Sequence, residues 1–185
     1  MEDFKWTIMK SEHLVKDRWI SLRADTCKMP NGKIVTPYYI LEYPSWVNVV
    51  AITKQKEVVL VQQYRHGSEK TLLELPSGGM EKTDKSPEEA IRRELAEETG
   101  YTGSEFIHTC TISANPANHN NLTYCFLALD VKLTKDIHLD ETEQIKVVLM
   151  PLNEVITNLK ENKFLQALHI SSLFHALMYM GMIQL

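Results

Sequence analysis

The chain reads as an α/β fold with a mixed sheet between helices, and three observations predict it. Apolar, β-branched runs separated by turn signals recur from about residue 19 to residue 75 and again from about 104 to 151. A capped helix divides the two series, and two further helical patterns close the chain. The 185 residues, 44% apolar and 24% charged, are enough to bury a good core.

Trp19 to Met29 and Lys33 to Tyr43 read as strands joined by a Pro30-Asn31-Gly32-Lys33 turn, a hairpin signal. Val47 to Thr53 and Glu57 to Tyr64 are apolar runs on either side of a polar TKQK turn. Thr71 to Leu75 is a short strand leading into the Pro76-Ser77-Gly78-Gly79 loop. Beyond the central helix, Ser104 to Ser113, Leu122 to Leu133 and Gln144 to Pro151 read as strands, then Leu152 to Lys160 and Phe164 to Met180 as helices. Phe164 to Leu185 carries no Asp, Glu, Lys or Arg and approaches membrane-spanning length. Gln166, His169, Ser171, Ser172 and His175 interrupt it, while Leu165, Leu168, Leu173, Leu177 and Met180 keep a helical period. The segment is expected to pack on the domain, with Met178 to Leu185 at a subunit contact and His169 and His175 as surface or packing residues.

The central helix carries the chemistry. Ser86-Pro87-Glu88-Glu89 is a capping box with Ser86 as N-cap, Pro87 in the first helical position and Glu89 reaching back to the cap amide. Gly100 supplies the left-handed stop, so the helix runs from about Pro87 to Thr99. Glu94, Glu97 and Glu98 stand at i, i+3 and i+4 on it, within an arc of roughly 100°. Their mutual repulsion, at the helix end that repels negative charge, calls for compensation by arginine or a cation. Arg93 lies at the edge of the arc and can steady one carboxylate, and Ala90, one turn back, is expected to leave room for an ion. Clustered Glu and Lys usually form only a solvated face. Here the cost without local gain marks a functional site, and all-oxygen ligands suit Mg2+, with Mn2+ substituting, and hence polyphosphate chemistry.

Residues 79 to 101 resemble the Nudix box, G-x5-E-x7-R-E-U-x-E-E-x-G-U with U bulky and apolar, at Gly79, Arg93, Glu94, Leu95, Glu97, Glu98, Gly100 and Tyr101. Strict spacing puts Lys85 where the family has its first acid; one extra loop residue, counted from Gly78, puts Asp84 there. The resemblance implies an α/β/α sandwich over residues 45–185, preceded by an N-terminal hairpin region, 1–44, that serves dimerisation and base binding. Val59 to Arg65 followed by Leu73 to Gly79 is similar to the VLVxQYR...ELPAGG run of ADP-ribose pyrophosphatases. That likeness implies that Arg65 contacts the diphosphate and that Glu74 helps bind the nucleotide side. Arg65 could alternatively be a structural ion-pair partner. Pro116, fifteen residues after Tyr101, matches a proline that marks the ADP-ribose group. Asp140 to Ile145 resembles the E-x-E loop of these enzymes, which implies Glu141 as general base and Glu143 as a metal contact; such a loop is otherwise a solvated turn. Trp19 sits where related enzymes stack an aromatic on the base, and could instead be core. The metal set the resemblance implies is Glu94, Glu97, Glu98, Glu143 and Gly78, and the catalytic set Glu141, Arg93 and Glu97.

Net charge of −4 and the lack of a Lys/Arg run argue against a nucleic-acid partner. Cys27, Cys110 and Cys125 show neither metal nor redox spacing and read as packed thiols of a reducing cytoplasm. The charged N-terminus does not look like a signal peptide. The expectation is a cytoplasmic homodimer, without membrane association, that hydrolyses the diphosphate of ADP-ribose or a related sugar nucleotide. The alternatives are a pyrophosphatase for another sugar nucleotide such as GDP-mannose, and a Nudix-fold nucleotide-binding module without the chemistry.

Overall fold

The structure, a computed structural model, describes residues 4–139 and 141–183. The chain forms two compact units: one takes residues up to Pro44 together with Ser113–Asn121, the other Ser45–Ile112 and the chain from Leu122 on.

The first unit is a three-stranded antiparallel sheet, β1 (Thr7–Lys16), β2 (Ser21–Lys28) and β3 (Ile34–Leu41). The expected hairpin is β2–β3. Gly32, at φ 84°, makes the turn, and Asn31 Oδ1 accepts the Lys33 N–H at 3.1 Å. Strand β1 is an addition that the sequence did not signal. All ten of its residues are exposed, so neither face imposed the alternation that marks a half-buried strand. Trp19 lies before β2 rather than in it, in a turn where Asp17 Oδ1 accepts the Trp19 and Ile20 amides at 2.7 and 2.9 Å. Arg23 ties β2 to β3's end, bonding Asp25 at 2.9 and 3.0 Å and pairing with Glu42.

The second unit is a mixed sheet covered on both faces. Its strands run β11 (Ile145–Pro151), β5 (Glu57–Arg65), β4 (Trp46–Thr53), β10 (Thr123–Leu133) and β8 (Tyr101–Thr102), with β6 (Lys70–Glu74) on β5, β7 (Ser77–Gly79) on β4 and β9 (Ile107–Ile112) on β10. The β4–β10 pair is parallel and the others antiparallel. Val47, Val49, Ala51 and Val59 point to one face, where Ala90, Ile91 and Leu95 of α1 (Pro87–Thr99) cover them. Val50, Ile52, Val58 and Leu60 point to the other, against α2 (Leu152–Lys160) and α3 (Ala167–Tyr179). Two covered faces explain why β4 and β5 are unbroken apolar runs. The result is the mixed sheet between helices that the order of elements predicts, the α/β/α sandwich that the resemblance implies.

Helix α1 has the predicted bounds and caps. Ser86 Oγ accepts the Glu89 N–H at 3.1 Å, and Gly100, at φ 74°, closes the helix onto Ala96. A Cβ at Gly100 would fall 2.5 Å from the Lys135 carbonyl oxygen, so the stop needs glycine for space as well as for φ. One detail differs: Glu89 reaches back to the Lys85 amide, at 2.8 Å, rather than to the cap amide. Ala90 also departs from expectation. It is fully buried in the core face and offers no room for an ion.

Helix α3 has 13 residues and spans about 20 Å at 1.5 Å per residue. No helix among the described residues is long and apolar enough to cross a membrane. Gln184 and Leu185 of the expected subunit contact lie outside the described residues. The three cysteines are free thiols; Cys110 faces Cys125 across β9 and β10, and burial pushes the Cys125 thiol up to about 12.

Candidate active site

The acidic face of α1 meets β7, and an arginine organises both. Arg93 Nη1 donates to Glu94 and to Glu97, each at 2.9 Å. Its Nε and Nη2 take the two oxygens of Asp84 at 3.3 and 3.1 Å, and Nη2 also reaches the Gly79 carbonyl at 3.2 Å. Burial works against this guanidinium's charge, but the Asp84 bond, the Glu94 charge and the Glu97 bond outweigh it, and its pKa lies above the ordinary arginine value. Asp84 is held below the usual carboxylate range, chiefly by its bond to Arg93. Asp84 is thus the loop acid that meets Arg93, while Lys85 contributes its backbone amide.

Glu98 is 7% exposed and accepts the Ser77 N–H at 3.0 Å. Burial, with the neighbouring charges of Glu94 and Glu143, pushes its pKa up to about 8. Glu94 rises to about 7, again mainly by burial, although Arg93 pulls it down. Gly78 admits Glu94 to this place, since a Cβ there would stand 2.2 Å from the Glu94 carboxylate. These groups border a cavity of about 480 Å3 that also takes in Glu143, His138 and Leu139.

Among the described residues no three His, Cys, Asp or Glu side chains stand close enough to hold an ion as they lie. Arg93 draws Glu94 and Glu97 to itself, and the Ser77 amide holds Glu98. The donors nevertheless fit a hard divalent cation. They are all oxygen, they share one polar cavity, and burial, with mutual repulsion, makes two of them hold protons near neutrality.

The other expected residues are placed as follows. Arg65 bonds Glu74 through Nε at 3.0 Å and Nη2 at 2.6 Å; Glu74 is 2% exposed, while the guanidinium so paired stays half-exposed. Glu143 lines the acidic cavity, whereas Glu141 is exposed on the loop before β11 and does not line it. Asp140 of that loop lies outside the described residues. Trp19, 68% exposed with the Arg18 guanidinium 4.1 Å from its ring centre, is not core; it and Pro116 belong to the first unit. The sequence reading assigned no role to Ser77, although it lies in the Leu73 to Gly79 run, or to His138, which carries no motif signal, and took His169 as a surface or packing residue. His175 is half-buried, but His169 is buried and accepts the Leu75 N–H at Nδ1.

A sequence profile described as the NUDIX domain matches residues 43–170, and the chain belongs to that family. The profile of the nucleoside diphosphate sugar hydrolase N-terminal domain matches residues 6–41, where the three-stranded unit begins. The chain is 30% identical over 161 residues to the methanol dehydrogenase activator of Bacillus methanolicus, covering 86% of each. It is 29% identical over 157 residues to the ADP-ribose pyrophosphatase of Bacillus subtilis, covering 84% of each. A crystal structure of an ADP compounds hydrolase superposes with a TM-score of 0.84 at 23% identity, over 99% of this chain and all of that one.

Two predictions follow from the electrostatics. Glu94 and Glu98 bind protons more tightly folded than unfolded, so in the metal-free protein their contribution to stability is full near pH 4.5 and is lost as pH rises through about 7 and 8. The melting temperature in chelator should fall between about pH 5 and 8.5, and excess Mg2+ should restore it at the alkaline end and barely change it at the acid end. Glu98→Gln should flatten the slope; a flat profile in the wild-type protein would refute the burial argument. For the loop, Asp84→Ala frees Arg93 and should raise the Mg2+ concentration for half-maximal activity about tenfold or more, while Lys85→Glu changes it less than about twofold. The reverse ranking in a metal titration would restore the strict register.

Proposed function

We propose that the protein hydrolyses the diphosphate bond of ADP-ribose or a related nucleoside diphosphate sugar, giving a nucleoside monophosphate and a sugar phosphate. The observation that carries this is the cavity lined by the glutamates of α1, with Glu98 buried and Glu94 and Glu97 fixed by Arg93, beside Arg65. Family membership and the pyrophosphatase relatives support the same reading.

Glu94, Glu97, Glu98, Glu143 and the backbone at Gly78 would hold Mg2+, or Mn2+ in its place, which when bound neutralises the diphosphate and lowers the pKa of a bound water. Arg93 holds Glu94 and Glu97 and ties them to β7 through the Gly79 carbonyl. Arg65, half-exposed, contacts the diphosphate while Glu74 fixes its angle. The water's proton goes to a carboxylate, Glu97 or Glu141, of which Glu97 lines the cavity. Trp19 offers an exposed indole to the base, and Pro116 marks the ADP-ribose group within the first unit's loop. The expected setting is cytoplasmic.

Glu98→Gln should keep the fold by circular dichroism and lower kcat about a hundredfold or more, since a lost metal carboxylate removes about 3 kcal/mol of transition-state stabilisation. Glu97→Gln should do the same and Glu141→Gln less. ADP-ribose should rank first in a Mg2+-dependent panel with GDP-mannose and UDP-glucose. A fall of less than about tenfold in Glu98→Gln removes the metal assignment, and a tenfold kcat/KM preference for a GDP- or UDP-sugar removes the ADP-ribose ranking.

The second part of the proposal is a homodimer. Its support is β1, where Ile8, Met9, Leu14 and Val15 are all exposed on an edge strand, an arrangement natural sheets cover or charge. Sedimentation at micromolar concentration should give twice the 21.3 kDa chain mass. A fully active monomer would exclude it.

A further inference from the structure

A second cavity of the same unit, about 410 Å3, has Arg65, Glu74, Ser77, Gln166 and His169 in its wall. It adjoins the acidic cavity at Ser77, which lines both, and the Arg65 charge is felt at Glu98. His169 occupies the first turn of α3 and is 4% exposed. Its Nδ1 accepts the Leu75 backbone N–H at 3.2 Å. An amide can only donate, so Nδ1 is unprotonated and the neutral ring carries its proton on Nε2. Burial and the nearby Arg65 hold the ring neutral, with its pKa down to about 3. Among the described residues Nε2 has no hydrogen-bond partner, nor is it one of the sealed, unpartnered polar atoms of the core. It therefore presents an unused donor to the cavity. The N-terminus of α3 adds to it: Gln166 Oε1 takes the Leu168 amide at 2.8 Å, but the other first-turn amides keep the positive end of the helix dipole on this side. A half-exposed guanidinium that Glu74 pairs from behind, a helix N-terminus and a buried neutral N–H thus meet in one cavity.

We propose that this cavity is a phosphate subsite in which His169 Nε2–H, beside Arg65 and the α3 N-terminus, donates to a non-bridging oxygen of the substrate's diphosphate. The assignment rests on the diphosphate-hydrolysis reading above and deepens it. It makes His169 a substrate-positioning residue whose donor does not titrate in the working range. The Leu75 bond sets the ring's angle at the junction of β6 and β7, so the segment leading into the strand that supplies Ser77 to the acidic cavity also aims this donor.

The two roles of the ring can be separated. Asn at 169 keeps an acceptor where Nδ1 stands and has no donor at the Nε2 position, whereas Gln places an amide near Nε2. His169→Asn should fold, with a melting temperature within a few degrees of wild type, and raise KM for ADP-ribose about tenfold with kcat within about twofold, the loss of one bond to a charged acceptor. The ratio should be constant from about pH 5.5 to 8.5, because a neutral donor has no charge to lose. His169→Gln should recover part of the KM. Full-length protein labelled with 15N-histidine, without divalent cation, gives a reading free of turnover. The His169 signals should report the Nε2–H tautomer, and inorganic phosphate or ribose 5-phosphate should shift them, while adenosine and ribose should not. An unchanged KM in a folded His169→Asn, or a shift with ribose and none with phosphate, overturns the subsite. If His169→Asn fails to fold, the wild-type titration decides. A wild-type protein that turns over no sugar nucleotide refutes the functional reading, and the phosphate titration then still tests the subsite by itself.

Discussion

The arrangement depends on one guanidinium. Three glutamates within two helical turns repel one another and oppose the helix dipole, so α1 in isolation would be disfavoured by its own functional face. Arg93 reverses this by meeting Glu94, Glu97, Asp84 and the Gly79 carbonyl at once. Its planar fork can serve four acceptors in fixed directions, which a lysine ammonium on a flexible stem cannot. The contact with Gly79 also ties α1 to β7, and hence to the sheet, so the same group that balances the charge sets the helix against the strand.

The sheet supplies the other half of the constraint. Strand β7 pairs with β4 through Ser77–Asn48, Gly78–Val47 and Gly79–Trp46, and β4 is the strand buried between α1 on one side and α2 and α3 on the other. A short strand fixed to the most buried part of the core is rigid enough to offer its Ser77 amide to Glu98. Glycine at 78 lets the Glu94 carboxylate lie against that backbone. Packing and polar geometry are thus coupled: the apolar runs that bury β4 also determine where the carboxylates end.

What the sequence made legible follows from which signals are local. Helix α1 was readable to the residue, since Ser86, Pro87 and Gly100 act within one turn of themselves. Strands β4 and β5 were readable because burial on both faces leaves an unbroken apolar run. Strand β1 was not, because an exposed strand imposes no period, and the two- and three-residue strands β8 and β7 are too short to show one. Within the site, the spacing of Glu94, Glu97 and Glu98 was visible, but the partners of Arg93 were not: Asp84 and Gly79 come from a loop whose register only the fold determines. His169 is the clearest case. Nothing near it in sequence marks its role, because its partner, the Leu75 amide, is 94 residues away.

The balance around Arg93 also accounts for how the acidic face of α1 is held. Without a cation, Glu94 and Glu98 relieve their repulsion by holding protons, and Glu94 and Glu97 lean on Arg93. On the function proposed above, a cation in the cavity would draw Glu94 and Glu97 to itself, and Arg93 would lose two partners. Asp84 then becomes decisive. Nearly buried, it keeps a two-point hold on the guanidinium that does not involve the cavity's glutamates. An arginine anchored in this way can release Glu94 and Glu97 without itself becoming an unpaired, half-buried charge, a state that would cost several kcal/mol. On that reading Asp84 would serve the exchange of partners on α1, a reason for its presence distinct from binding metal.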